Sequence, residues 1–258
     1  MNPDRGVLIS ANWKMNENHY EAVKLVTELS ALLRANPLPD EREISLHPSF
    51  TSLRTVQTLV ETDRIPVALG AQNCHFEDAG AFTGEVSAAM LAKLGVAYVI
   101  CGHSERRAYA HETDEEIGKK IDAVLRNNMS PILCVGESAD ARAAGDAEQV
   151  VADQLAAVVT SKRREAISRF VVAYEPIWAI GTGVTASEED AEQMCAHIHR
   201  RLDALAGGAA EAVRVQYGGS VNADNAASFL AQPAIDGLLI GGASLEAARF
   251  MAICHAGI

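Results

Sequence analysis

Three short segments place acid–base or cationic groups directly after apolar runs. Glu175 follows Val171-Val172-Ala173-Tyr174 and precedes Pro176. A carboxylate at the end of a buried strand, beside Ile177 and Trp178, is a candidate general base whose pKa desolvation would raise. A rim carboxylate paired with a basic residue fits the same local sequence. His103 lies in Cys101-Gly102-His103-Ser104-Glu105-Arg106-Arg107. A histidine just past a strand and near a helix start is biased toward its neutral form, which can donate a hydrogen bond to a carbonyl becoming an enolate. A structural histidine fixing the loop is the competing reading. Glu105 is expected to pair with a buried lysine or arginine, and Arg106 with a carboxylate of this subunit or a neighbour. Lys14 sits in Asn12-Trp13-Lys14-Met15-Asn16. It offers a compact positive charge to a phosphate or a developing oxyanion, with Asn12 donating beside it. The alternative is a surface lysine whose stem lies along Trp13.

Glycines extend this chemistry toward an anion. Gly181-Thr182-Gly183, Gly218-Gly219-Ser220 and Gly241-Gly242 let main-chain amides approach a phosphate closely, and a following helix N-terminus favours negative charge. No Walker pattern is present, and Gly181 to Ala186 fails the dinucleotide fingerprint, so no nucleotide cofactor is expected. None of the eight histidines makes an HExxH pattern. His197 and His199, two apart on an expected helix, read as solvated or helix-surface histidines, so no metal is expected. The segment from Pro176 through Ile177, Trp178, Ala179, Ile180, Gly181, Thr182 and Gly183 to Val184 combines apolar residues with glycines. It reads as a loop that can close over a substrate and bury the base.

The elements that must position these groups alternate along the chain. Short runs, several of them nearly continuous in apolar residues, fall at Gly6 to Ala11, Glu43 to His47, Val67 to Leu69, Ala97 to Cys101, Ile132 to Val135, Phe170 to Tyr174, Val213 to Tyr217 and Gly237 to Ile240. Strands of a parallel sheet covered on both faces look like this. Amphipathic stretches lie between them: Tyr20 to Arg34, Thr51 to Val60, Val86 to Leu94, Glu115 to Arg126, Ala147 to Thr160, Glu188 to Leu205 after a Ser187 cap, Asn222 to Leu230 and Leu245 to Ile253. Eight such units suit a closed (β/α)8 barrel better than an open doubly wound sheet. In that barrel Asn12, Lys14, His103, Ser104, Glu105, Glu137, Glu175, Gly218 to Ser220 and Gly241 to Gly242 meet on the C-terminal rim. Ala139 to Gly145 and Ala206 to Ala210 read as solvated connections. No linker divides residues 1–258, so one domain is expected.

Composition narrows the setting. A formal net charge of -12 argues against nucleic-acid and anionic-membrane partners, while leaving room for a locally positive pocket. Five cysteines without CxxC spacing suit a reducing compartment, and the polar Met1 to Arg5 carries no hydrophobic targeting segment. A cytoplasmic location is the expectation.

Taken together, five segments resemble the triosephosphate isomerase family over essentially the whole chain. They are Asn12 to Asn16, Gly102 to Arg107, Tyr174 to Gly183, Tyr217 to Val221 and Gly241 to Leu245. The resemblance implies a TIM barrel that interconverts dihydroxyacetone phosphate and D-glyceraldehyde 3-phosphate without a cofactor. It implies Glu175 as base, His103 as electrophile, and Lys14 and Asn12 stabilising an enediolate. Phosphate would be held at Gly181, Ser220, Gly241 and Gly242. It also implies a homodimer formed through the Gln72 to Glu85 loop, with Thr83 approaching the neighbour's site and Glu105 and Arg106 supporting site and interface. Three places depart from the family pattern: Ala11 replaces a usual glycine, His47-Pro48-Ser49 the more usual double proline after the second strand, and Val184 a lysine after the lid. A different phosphosugar isomerase or aldolase is the nearest competitor. A non-enzymatic phosphate-binding protein is the other, and the combination of Glu175, His103 and Lys14 counts against it.

Overall fold

The computed structural model describes residues 5–179 and 186–258. Its parallel strands are β1 (Val7–Asn12), β2 (Arg42–His47), β3 (Ala68–Ala71), β4 (Tyr98–Cys101), β5 (Ser130–Val135), β6 (Val171–Tyr174), β7 (Arg214–Tyr217) and β8 (Gly237–Ile240). They pair in chain order and close into a barrel, with β8 returning to β1 through Leu8 opposite Gly237 and Ala11 opposite Ile240. The near-continuous apolar runs are explained by two cores. Alternate residues such as Leu8, Ile100, Ile132, Cys134, Val171 and Leu239 meet inside the barrel. Their neighbours, including Ile9, Leu46, Val99, Leu133, Val172 and Leu238, pack outward against helices. Each such side chain contributes roughly 1.5–3 kcal/mol by leaving water. Ala11, where the family pattern has glycine, is fully buried in the outer layer, which accommodates its methyl group.

The surrounding helices are α1 (His19–Ala35), α2 (Phe50–Asp63), α3 (Ala88–Lys93), α4 (Ser104–Tyr109), α5 (Asp114–Arg126), α6 (Ala139–Ala144), α7 (Ala147–Val158), α8 (Glu188–Ala206), α9 (Ala226–Leu230) and α10 (Ala247–Cys254). Helix α1 begins at a capping box. The Asn18 side chain accepts from the N–H groups of Tyr20 and Glu21, while the Glu21 carboxylate accepts from Asn18 N–H. Such a cap contributes about 1 kcal/mol. The helix then buries Ala22, Leu25, Val26, Leu29 and Leu33 along one stripe. Ser187 caps α8, accepting from Asp190 N–H.

Several elements differ from the sequence expectation. Ala206 to Ala210 is not a solvated connection: Ala206 ends α8, and Gly207–Ala210 form a 3-10 turn that buries Ala210. Ala139 to Gly145 is not a loop: Ala139–Ala144 forms α6, capped by Ser138 and ended by Gly145 at φ 82°. None of its residues is buried, so no apolar periodicity announces it. Helix α4 is similar, burying Ser104 alone. Helix α9 starts later than expected because Asn222 and Asn225 capture local amides first. Asn222 Oδ1 accepts from the N–H groups of Asp224 and Asn225, and Asn225 Oδ1 accepts from Asn222 N–H. His197 and His199 are not fully solvated: they approach Glu148 and Asp236 at 3.4 and 3.1 Å. All five cysteines are buried and free. No helix among the described residues is long and apolar enough to cross a membrane.

Candidate active site

The C-terminal ends of the strands surround a cavity of about 640 Å³. Asn12 and Lys14 border it after β1, His103 to Glu105 after β4, Glu175 after β6, Gly218 to Ser220 after β7, and Gly241 with Gly242 after β8. The barrel thus gathers residues separated by more than two hundred positions.

His103 is the N-cap of α4. Its Nδ1 accepts from the Glu105 N–H at 3.2 Å, so that nitrogen carries no proton. Its Nε2 lies 2.8 Å from Glu175 Oε1 as the donor. The other carboxylate oxygen, Oε2, accepts from Ser104 N–H at 2.8 Å. Both side chains are buried, at 7% and 3% exposure. Burial pushes the Glu175 carboxyl upward, as the sequence suggested. The His103 ring, the Ser104 N–H and the Lys14 charge outweigh it and hold the group below the usual glutamate value. Glu175 therefore rests as a buried carboxylate. Its main chain is fixed from below: Glu175 N–H donates to Val135 O at 2.8 Å. Gly136 approaches so closely that a Cβ there would lie 1.8 Å from the Glu175 carbonyl oxygen. The Gln154 amide brackets Gly136, accepting from its N–H at 2.8 Å and donating to its carbonyl at 3.1 Å.

Lys14 adopts a left-handed φ of 53°. For a non-glycine residue this costs of order 1–3 kcal/mol and must be held by its surroundings. Its N–H donates to Asn12 Oδ1 at 3.1 Å, and its carbonyl accepts from Gln72 Nε2 at 2.8 Å. The Nζ donates to Glu105 Oε1 at 2.8 Å. The sequence expectation of a buried partner for Glu105 is corrected here, since Lys14 and Glu105 are 30% and 42% exposed. A pair so wetted adds little to stability, about 0–1 kcal/mol, so its effect is to aim the ammonium. The glycine wall lies opposite. A Cβ on Gly241 would stand 3.7 Å from Lys14 Nζ, which places the cation beside the β8 main chain. Asn12 is 5% exposed and borders the same space.

The remaining predicted residues fall around this centre. Arg106 pairs with Glu112, which also pairs with the buried Lys120. Pro176 to Ala179 follow Glu175. Trp178 Nε1 and Tyr174 OH donate to the buried Glu137 at 2.7 and 3.0 Å, and the Arg142 guanidinium stacks 4.3 Å from the Trp178 ring. The rest of the expected lid, Ile180 to Val184, and with it the phosphate assignment at Gly181, lies outside the described residues. Ser220 Oγ reaches the Ala179 carbonyl at 3.4 Å. Gln72 donates to the His47 carbonyl at 2.9 Å and borders a neighbouring groove, whereas Thr83 lies in an exposed stretch. A second groove of about 440 Å³, bordered by Met15, Gln72, Asn73 and Arg106, shares Asn12, Lys14, His103 and Glu105 with the first. Sequence reasoning placed Ser104 on the rim without giving its amide a role, and it missed Tyr109 and Asn222 as parts of the cavity wall. Only the position of Ser104 after a candidate histidine signalled anything. Among the described residues, no group of three or more His, Cys, Asp or Glu is arranged to hold a metal ion.

Comparison with known proteins matches residues 7–257 to the family described as triosephosphate isomerase. Similar curated proteins include the triosephosphate isomerase of Mycobacteroides abscessus, 46% identical over 95% of this chain and 94% of that one. That of Streptococcus suis is 46% identical over 97% and 99%. That of Mycobacterium avium is 45% identical over 95% and 94%.

Proposed function

The chain belongs to the triosephosphate isomerase family and interconverts dihydroxyacetone phosphate and D-glyceraldehyde 3-phosphate, and we propose that Glu175 and His103 carry the proton transfer. The observation behind this is the 2.8 Å approach of a buried carboxylate to an imidazole nitrogen at the cavity wall. Glu175 removes the pro-R proton from C1 of the ketone. To reach that carbon, its carboxylate gives up the hydrogen bond to Ser104 N–H or to His103, and losing a donor strengthens it as a base. Negative charge then grows on the carbonyl oxygen. His103 Nε2–H, the Asn12 amide and the Lys14 ammonium oppose that charge in a site with little water, where a single preorganised donor is worth about 10²–10³ in rate. The enediolate is reprotonated at C2, and proton exchange between its two oxygens completes the aldose.

The phosphate lies against the main chain of Ser220, Gly241, Gly242 and Gly181, with Lys14 neutralising part of its charge. Glycine at these places admits the anion, and the location after β7 and β8 is the usual phosphate end of such barrels. Pro176 to Val184 closes over the substrate, hinged on the Glu137–Trp178 anchor. No cofactor or metal takes part. Residues 1–258 form one TIM-barrel domain, in the cytoplasm, a setting the five buried free thiols suit. The partner is a second copy of the chain. Its Gln72 to Glu85 loop enters the groove beside Met15 and Lys14, bringing Thr83 to the neighbour's site, with Glu105 and Arg106 at the contact. Sedimentation giving only monomer at working concentration would remove the dimer from this account.

The test of function is isomerisation of D-glyceraldehyde 3-phosphate, coupled to reduction of the ketone product, for the unaltered protein and Glu175→Ala together. Turnover by the first and its loss in the second is the expected result. Equal turnover in both would remove Glu175 from the role of base.

A further inference from the structure

His47 is fully buried at the C-terminal end of β2, yet none of the chemistry above uses its ring. Its surroundings define how that ring is protonated. Nδ1 lies 3.2 Å from the carbonyl oxygen of Ala71, which can only accept, so Nδ1 carries the proton. Burial pushes the imidazole down to about 4, so it stays neutral near pH 7, and Nε2 faces the Ser45 hydroxyl at 2.9 Å. Ser45 Oγ lies 2.9 Å from Ser10 Oγ, which accepts from Gln216 Nε2 at 2.8 Å. One side of the imidazole thus ends a polar chain across the barrel, and the other side ties β2 to β3.

That tie falls at one of the three seams with the shortest pairing, two residues each. Strands β1 and β2 pair over six residues, from Val7 opposite Arg42 to Asn12 opposite His47. Strands β2 and β3 pair only at Ser45 opposite Ala68 and Leu46 opposite Leu69. The His47 ring reaches Ala71 beyond the point where that pairing stops, over Gly70, where a Cβ would lie 2.3 Å from the ring. The next residue is Gln72. Its Nε2 donates both to the His47 carbonyl, at 2.9 Å, and to the Lys14 carbonyl, at 2.8 Å. Trp13 N–H also donates to the His47 carbonyl at 3.2 Å. The segment holding Lys14 in its left-handed conformation therefore hangs from the β2–β3 seam.

We propose that His47 is a positioning residue: its imidazole closes the β2–β3 seam beyond the end of main-chain pairing and so holds Gln72 on the carbonyl of Lys14. The inference rests on the reading of Lys14 as a substrate-contacting group. A small displacement of such a group lowers turnover without removing any reacting atom.

The test compares two replacements of similar chemistry by steady-state kinetics on the whole enzyme. Asn presents an N–H near the place of Nδ1, whereas Gln keeps a polar partner for Ser45 but loses the donor to Ala71. His47→Gln is expected to lower kcat/KM about 10-fold, with a rise in KM larger than the fall in kcat, as a misplaced ground-state contact does. His47→Asn should recover to within about 2-fold of the parent, since it keeps the same N–H. Combining His47→Gln with Gln72→Leu should cost no more than Gln72→Leu alone, because the two act on one contact. Gly70→Ala, which displaces the ring without changing it, provides a second variant should His47→Gln not fold, and it should show the same KM-weighted loss. Unchanged kinetics in folded His47→Gln or Gly70→Ala would overturn the proposal. So would equal losses in His47→Gln and His47→Asn, or losses that multiply with Gln72→Leu. Lys14→Ala run alongside separates the two readings. If it is inactive while His47→Gln is normal, only the role of His47 fails; if it turns over normally, the role of Lys14 fails and the His47 proposal falls with it.

Discussion

The two ends of the barrel carry similar residue types in opposite states. At the floor, Arg214, Glu43 and Tyr98 satisfy one another: the guanidinium donates to the carboxylate at 2.8 Å and to the phenol oxygen at 2.6 Å, and the phenol donates to both Glu43 oxygens at 2.9 Å. Arg5 closes on Asp236 in the same way at 2.9 Å. At the rim, Lys14, Glu105, His103 and Glu175 also pair, but around open space beside a glycine wall that brings main chain to the cavity and no side chains. Charges at the floor are spent on each other and hold strand ends. Those at the rim face a volume large enough for a small anion, and their mutual contacts can be exchanged for contacts with a substrate. Residue type alone does not separate a structural network from a catalytic one; the space the network borders does.

That contrast can be broken by substitution at either end. The largest expected effect is Glu175→Gln, which keeps the shape and removes the base: kcat should fall by about 10²–10⁴, with the melting temperature little changed. His103→Phe removes the donor to the developing oxyanion, and a loss of about 10²–10³ in kcat is expected. A smaller effect is a change in stability with pH. The unfolded histidine takes up a proton near 6.5, but His47 in the folded protein does so only near 4. Folding stability contributed by this group is therefore present above pH 6.5, declines as the pH falls through that window and levels off below 4. The loss is about 3 kcal/mol, and the difference in urea unfolding between the parent and His47→Asn over that range should reveal it. The smallest effect is at the floor. Arg214→Met should cost about 1–2 kcal/mol of unfolding free energy, since Glu43 is partly solvated, while kcat/KM stays within about 2-fold of the parent. A large loss of turnover there, with the fold intact, would erase the distinction between the two ends.

Much of this arrangement is legible in the chain itself. Runs such as Val171 to Tyr174 are apolar at every position because they serve two cores, and that pattern is enough to order the strands and to put Glu175 and His103 on one rim. What escaped has physical causes. Helix α6 buries nothing, so it leaves no periodic trace. The resting state of Glu175 depends on the Ser104 amide and on a ring brought from 72 positions away, and local sequence conveys only its burial. His47 stands out in sequence as a departure from the family pattern, but its use depends on Gly70, Ala71 and Gln72 across a seam that no spacing rule marks.

The most direct test of the central claim follows the proton. Dihydroxyacetone phosphate incubated in D₂O with the parent enzyme should acquire deuterium at C1 and yield aldose labelled at C2, as read by proton NMR. Glu175→Gln, folded and at equal concentration, should do neither above background. Wash-in of deuterium at the parental rate in the Glu175→Gln protein would contradict the account, because the base would then be some other group.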